Sequence, residues 1–93
     1  MTVWRYFGIV DPVTESASRP GGLLRQAEGA PKHEAQVLGR SGEWVTSDLP
    51  YRIWLGKEYD ELHAMTRAEA AASARASHTR GILQNIPDDL VDP

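Results

Sequence analysis

The sequence predicts an α+β domain: an antiparallel sheet of three or four strands, packed by one main C-terminal helix and a second short helix. Up to about Ser47, short apolar runs alternate with glycine- and proline-bearing turns, the pattern of strands. From Thr66 the chain changes to an alanine-rich stretch that opens with Thr66-Arg67-Ala68-Glu69 and closes with Arg80-Gly81. A change from period two to a helical period within 93 residues points to a sheet covered by a helix. That length suits one domain with a radius of gyration of roughly 12 Å.

The elements follow in order. Val3 to Val10 is dense in β-branched and aromatic residues and stops at Asp11-Pro12. Both its faces, Val3/Arg5/Phe7/Ile9 and Trp4/Tyr6/Gly8/Val10, are largely apolar, which predicts a central strand or one covered on both sides. Residues 13–22, with Pro20-Gly21-Gly22, read as a mobile loop. Leu23–Ala27, Glu34–Leu38 and Glu43–Thr46 are strand candidates, separated by Glu28-Gly29-Ala30-Pro31 and Gly39-Arg40-Ser41-Gly42, as in a meander. Trp44, Phe7, Ile9 and Leu38 are the expected core, with Trp44 as its anchor because tryptophan buries so much apolar area.

Ser47-Asp48-Leu49-Pro50 resembles a helix entrance, with a capping side chain and an early proline. Leu49, Ile53 and Trp54 would then share one face of a short helix ended by Gly56. Residues 57–65 fit a helical turn through Tyr59, Leu62 and Met65, and fit a strand or docked turn equally well. Thr66 and Glu69 form a capping box for a helix over 67–80, with high propensity from its alanines and Gly81 as its left-handed cap. The domain is expected to end at residue 81. Residues 82–93 form an acidic-apolar tail in which Pro87 forbids a continuous helix, and the tail is either docked or free.

Composition limits the function classes. Formal net charge is −3, so no global field draws the chain to phosphate or anionic lipid. The absence of cysteine removes thiolate chemistry and sulfur-ligated zinc. Residues 1–7 lack the pattern of a signal peptide, and no apolar run approaches the ~18 residues of a membrane span. A cytoplasmic protein without membrane contact is the expectation.

Glu58, Asp60, Glu61 and His63 are the densest group of metal-ligand types, but clustered carboxylates usually form a solvated face, and no second histidine motif completes a set. Ser41 between Gly39-Arg40 and Gly42 has histidines elsewhere in the chain as candidate bases (His33, His63 and His78), yet its glycines are explained by a hairpin turn. Gly21-Gly22 has no phosphate-loop lysine. The expectation is therefore no catalytic residue, no metal and no cofactor.

Trp4-Arg5-Tyr6-Phe7 and Tyr51-Arg52-Ile53-Trp54 pair aromatic rings with arginine, which could stack bases and hold phosphates. The competing use is core rings covered by arginine stems. A nucleic-acid reading would also enlist Arg67, Arg75 and Arg80. Alanines on the last helix let it lie close to a sheet, or against a second copy in a homodimer. In the tail, Ile82, Leu83, Ile86, Leu90 and Val91 among aspartates have the pattern of a partner-docking segment, and intramolecular packing of at least the first three fits equally well.

The aromatic first strand, Gly22-Leu23-Leu24-Arg25, Gly42-Glu43-Trp44, Leu49, Gly56 and Thr66-Arg67-Ala68-Glu69-Ala70 together resemble short uncharacterised proteins of actinobacteria and their bacteriophages. The resemblance implies no catalytic residues. It implies a small phage-encoded or accessory protein acting on a host protein. The expected function is a non-catalytic protein-interaction or regulatory module contacting its partner through Tyr51, Trp54, Ile86, Leu90 and Val91. Nucleic-acid binding is the alternative.

Overall fold

The computed structural model describes residues 1–16 and 19–91. Five strands form one antiparallel sheet: β1 (Trp4–Val10), β2 (Gly22–Ala27), β3 (Ala35–Leu38), β4 (Trp44–Ser47) and β5 (Glu61–Met65), in the spatial order β4-β3-β2-β1-β5. The expected meander is present as β2-β3-β4, and β1 is paired on both sides, with Phe7 opposite Leu24 of β2 and Ala64 of β5. The sheet exceeds the expected three or four strands by β5, which lies in the ambiguous stretch 57–65. Its register against β1 places Leu62 on the apolar face with Ile9 and Phe7. Alternation over only five residues, with His63 and Glu61 opposite, gives little local signal for a strand.

Two helices lie on opposite faces. Helix α2 (Arg67–Thr79) begins with the capping box: Thr66 Oγ1 accepts from the Glu69 amide at 3.1 Å, and Glu69 Oε1 accepts from the Thr66 amide at 3.0 Å. It ends at Arg80, and Gly81 takes a φ of 76°, where a side chain would be strained. Helix α1 (Leu49–Trp54) carries Pro50 in its first turn, but its N-cap Asp48 makes no side-chain cap; Ser47 Oγ accepts from the Leu49 amide instead.

The α2 face holds the larger core: Tyr6, Leu23, Ala70, Ala71, Ala74, Leu83 and Leu90, flanked by Trp4, Leu38, Trp44, Met65 and Ile86. The alanines let α2 sit close to the sheet, so their small volume is used within the chain. Among the described residues, the α1 face buries Leu24, Ala35 and Leu49, with Phe7, Ile9, Val37, Ile53 and Leu62 half-buried around them. Trp44, Phe7, Ile9 and Leu38 are thus partly covered rather than central. The fully buried large side chains are Leu24 and Leu90.

The stretch after Gly81 is part of this core. Leu83 and Leu90 are buried, and a 3-10 turn, Asp88–Leu90, packs on the sheet's α2 face. The boundary expected at residue 81 therefore does not separate the described residues 82–91 from the rest. Residues 92 and 93 of the expected tail, and 17 and 18 of the loop 13–22, lie outside the described residues. The loop is pinned near both ends: Glu15 Oε1 accepts from the Asp11 amide at 2.8 Å, and Pro20 is buried against Gly8. Radius of gyration is 12.5 Å.

Candidate protein-interaction surface

Helix α1 has six residues, so it spans about 9 Å and cannot roof a five-stranded sheet. Leu49 is buried against Leu24 and Ala35, and Ile53, one turn on, is half-buried beside it. Trp54 follows Ile53 by one residue, about 100° further round the helix, which takes it off this face. It is 64% exposed, so the expected sharing of one face by Leu49, Ile53 and Trp54 holds only for the first two. Trp54 instead stacks on Tyr51, with ring centroids 6.0 Å apart and planes inclined by 26°. Lys32, from the β2–β3 turn, places its ammonium 5.7 Å from the Trp54 ring centroid. Leu55 is exposed beside this pair, and Val45 and Ala64 are exposed on the same sheet face.

The arginines next to these rings are already paired. Arg52 holds Asp48 at 2.8 Å and also pairs with Glu58, while Arg5 lies 3.6 Å from Glu28. Glu58 is thus paired with Arg52, while Glu61 lies 3.6 Å from His63 Nε2. Among the described residues no group of three or more histidine or carboxylate side chains is placed to hold a metal ion. Ser41 lies in the β3–β4 turn, where its carbonyl accepts from Asn85 Nδ2 at 3.1 Å.

The other proposed contact residues are placed differently. Leu90 is 0% exposed and cannot meet a partner in this conformation, because the sheet and α2 already cover it. Ile86 is half-buried against the same core. Val91 is exposed, with its carbonyl accepting from Arg67 at 3.2 Å. Tyr51 and Trp54 therefore share a surface that Ile86, Leu90 and Val91 do not. The alternative nucleic-acid set does not form one stripe either: Arg75 and Arg80 lie about 80° and 220° round the helix from Arg67.

A second polar constellation, missed from the sequence, lies on the α2 face. The Asp89 carboxylate accepts from Tyr6 Oη at 2.7 Å, Trp44 Nε1 at 2.8 Å and Arg25 Nη1 at 3.1 Å. Arg25 sits between two indoles, its guanidinium carbon 3.9 Å from the Trp4 ring centroid and 4.7 Å from that of Trp44, and its Nε donates to Gln36 at 2.7 Å. Burial is the largest influence on Asp89 and pushes its carboxyl up. The hydrogen bonds from Trp44 and Tyr6 and the charge of Arg25 together outweigh it and hold the carboxyl below its usual range. Tyr6 is pushed up to about 12 by burial, then by donating to the Asp89 carboxylate and by that negative charge. The β1 alternation contained a hint: Tyr6 and Trp4 share one strand face, and a buried phenol needs an acceptor.

Comparison with protein-family models, curated proteins and solved structures gives no match. Among the described residues, no helix is long and apolar enough to cross a membrane.

Proposed function

We propose that the chain is a small non-catalytic interaction module that binds a protein partner through its α1 face. The observation that carries this reading is the outward-stacked Tyr51–Trp54 pair beside a half-covered apolar sheet face. Tryptophan and tyrosine dominate the energetically decisive positions of protein interfaces, where large rigid rings leave water at little entropic cost. A specific interface needs about 800 Å² per partner, a minor part of the 6004 Å² exposed here. Ion pairing of Arg5 and Arg52 supports a protein partner over nucleic acid, since a phosphate would have to displace a carboxylate at each.

Affinity capture from cells, run in parallel with wild type and a folded Trp54→Ala variant, tests this. A protein retained by wild type and lost by the variant supports the reading, provided capture changes little between 50 and 300 mM salt. Capture of nucleic acid that weakens log-linearly with salt and survives Trp54→Ala would replace it with the phosphate-binding reading.

A further inference from the structure

The opposite face of the sheet carries a site that the α1 contact does not use. Three donors from three strands, Tyr6 Oη, Arg25 Nη1 and Trp44 Nε1, converge on one carboxylate within 3.1 Å. The placement of Arg25 does not rest on that carboxylate alone. Arg25 is held between the Trp4 and Trp44 rings and tied through Nε to Gln36, all groups of the sheet. Removing Asp89 would leave a guanidinium, a phenol and an indole N–H already aimed at one point and lacking their acceptor.

The segment that supplies Asp89 is attached in a different way from the strands. Residues 82–91 pair with no strand, and they join α2 through Gly81, whose φ of 76° turns the chain back. Their backbone link to the sheet side is the Gln84 amide donating to Arg40 at 2.7 Å, while the Leu90 and Val91 amides bond locally to Pro87 and Asp88. Apolar burial of Leu83 and Leu90, the Asp89 carboxylate, Asn85 Nδ2 donating to the Ser41 carbonyl at 3.1 Å and Arg67 donating to the Val91 carbonyl at 3.2 Å supply the remaining hold, all of it through side chains. An open concavity of about 620 Å³ runs alongside, lined by Arg25, Gln36 and Trp44 on one side and by the segment on the other.

We propose that Tyr6, Arg25 and Trp44 form a carboxylate-binding cradle that the chain fills with its own Asp89, so that residues 82–91 act as a strap. The ligand class that competes for the cradle is an aspartate or glutamate side chain followed by an apolar residue, the pattern of Asp89-Leu90. Charge assistance from Arg25 and two neutral donors discriminate such a group from chloride, which cannot meet three fixed donors with two oxygens, and the core cluster that takes Leu90 suits an apolar residue after it.

The test uses the full chain carrying Asp89→Ala, with acetate as the probe. In acetate at about ten times its dissociation constant the variant is expected to melt roughly 8 °C above its value in chloride at equal ionic strength and neutral pH, the shift that such ligand excess gives in a domain of this size. Wild type, whose cradle is filled, is expected to melt equally in both salts. Equal melting of the variant in the two salts, or an equal acetate gain in wild type, overturns the proposal. Should Asp89→Ala fail to fold in either salt, hydrogen exchange on the unmodified chain decides. The Gln84, Leu90 and Val91 amides are expected to be at least tenfold less protected than those of β1 and β2. Equal protection would mean that the strap never opens ahead of the sheet and that no competitor reaches the cradle.

Discussion

The two faces of the sheet are covered by unequal means. On one, a 13-residue helix and residues 82–91 enclose Tyr6, Leu23, Leu83 and Leu90, and the Asp89 carboxylate that enters is met by three donors. On the other, six residues of α1 seal Leu24, Ala35 and Leu49 while Phe7, Ile9 and Leu62 stay half-covered and Trp54 faces outward. The same residue type therefore does two jobs. Trp44 packs against an intramolecular core, and Trp54 leaves most of its surface in solvent. Exposed area separates them: an aromatic ring already covered by its own chain has little left to give a partner.

The sharpest way to break this comparison is to truncate both tryptophans. Trp44→Ala is expected to destabilise the fold by about 3 kcal/mol, the low end for a large aromatic because Trp44 is only half-buried. It also removes one donor from Asp89. Urea titration measures the loss. If Trp44→Ala proved as mild as Trp54→Ala, the assignment of a sealed and an open face would fail.

Gly42 is the next lever on the sealed face. Its φ is 88°, and a Cβ there would drive into the Asn85 carbonyl, where the β3–β4 turn meets the strap. Gly42→Ala is expected to cost about 2 kcal/mol, with Trp44 fluorescence changing before the sheet melts.

Tyr6→Phe should cost about 1.5 kcal/mol, because it deletes a hydrogen bond to a charged acceptor. Its pH signature is more informative. Tyr6 has a folded pKa raised from 10.0 to about 12, so its contribution is complete below pH 10 and is lost as pH rises towards 12. Asp89 has a folded pKa lowered from 3.8, so its contribution is present above that value and is lost as pH falls below it. Stability against pH, measured by denaturant midpoint, should fall at both extremes in wild type. The alkaline limb should flatten in Tyr6→Phe.

The smallest effect belongs to the open face. Trp54→Ala is expected to change stability by no more than about 0.5 kcal/mol while abolishing partner capture. Its Tyr51 stacking partner can rotate into solvent, and no buried group loses its hydrogen bond. A loss above about 2 kcal/mol would show that Trp54 serves the fold.

Much of the architecture was legible where a local signal matched its tertiary role. Thr66, Glu69 and Gly81 delimit α2 because capping and left-handed closure are satisfied within a few residues. The turns around Gly29 and Gly42 separate the strands of the meander for the same reason. β5 was not legible, since its apolar residues acquire meaning only opposite Ile9 and Phe7. The candidate surface was legible as residue types, through Tyr51 and Trp54, but not as a set. Leu90 has the look of a docking residue in sequence and is fully buried in the fold.

By itself, then, the sequence determined the class of the fold, the extent of its main helix and the turns of its meander, because propensity, caps and glycine geometry act over a few bonds. Only the tertiary structure decided which face each aromatic serves, that the C-terminal stretch closes the core, and that Asp89 meets Tyr6, Arg25 and Trp44. Those contacts join residues up to 83 positions apart, between Tyr6 and Asp89. Strand order selects them, and it is not written in the spacing of residues along the chain.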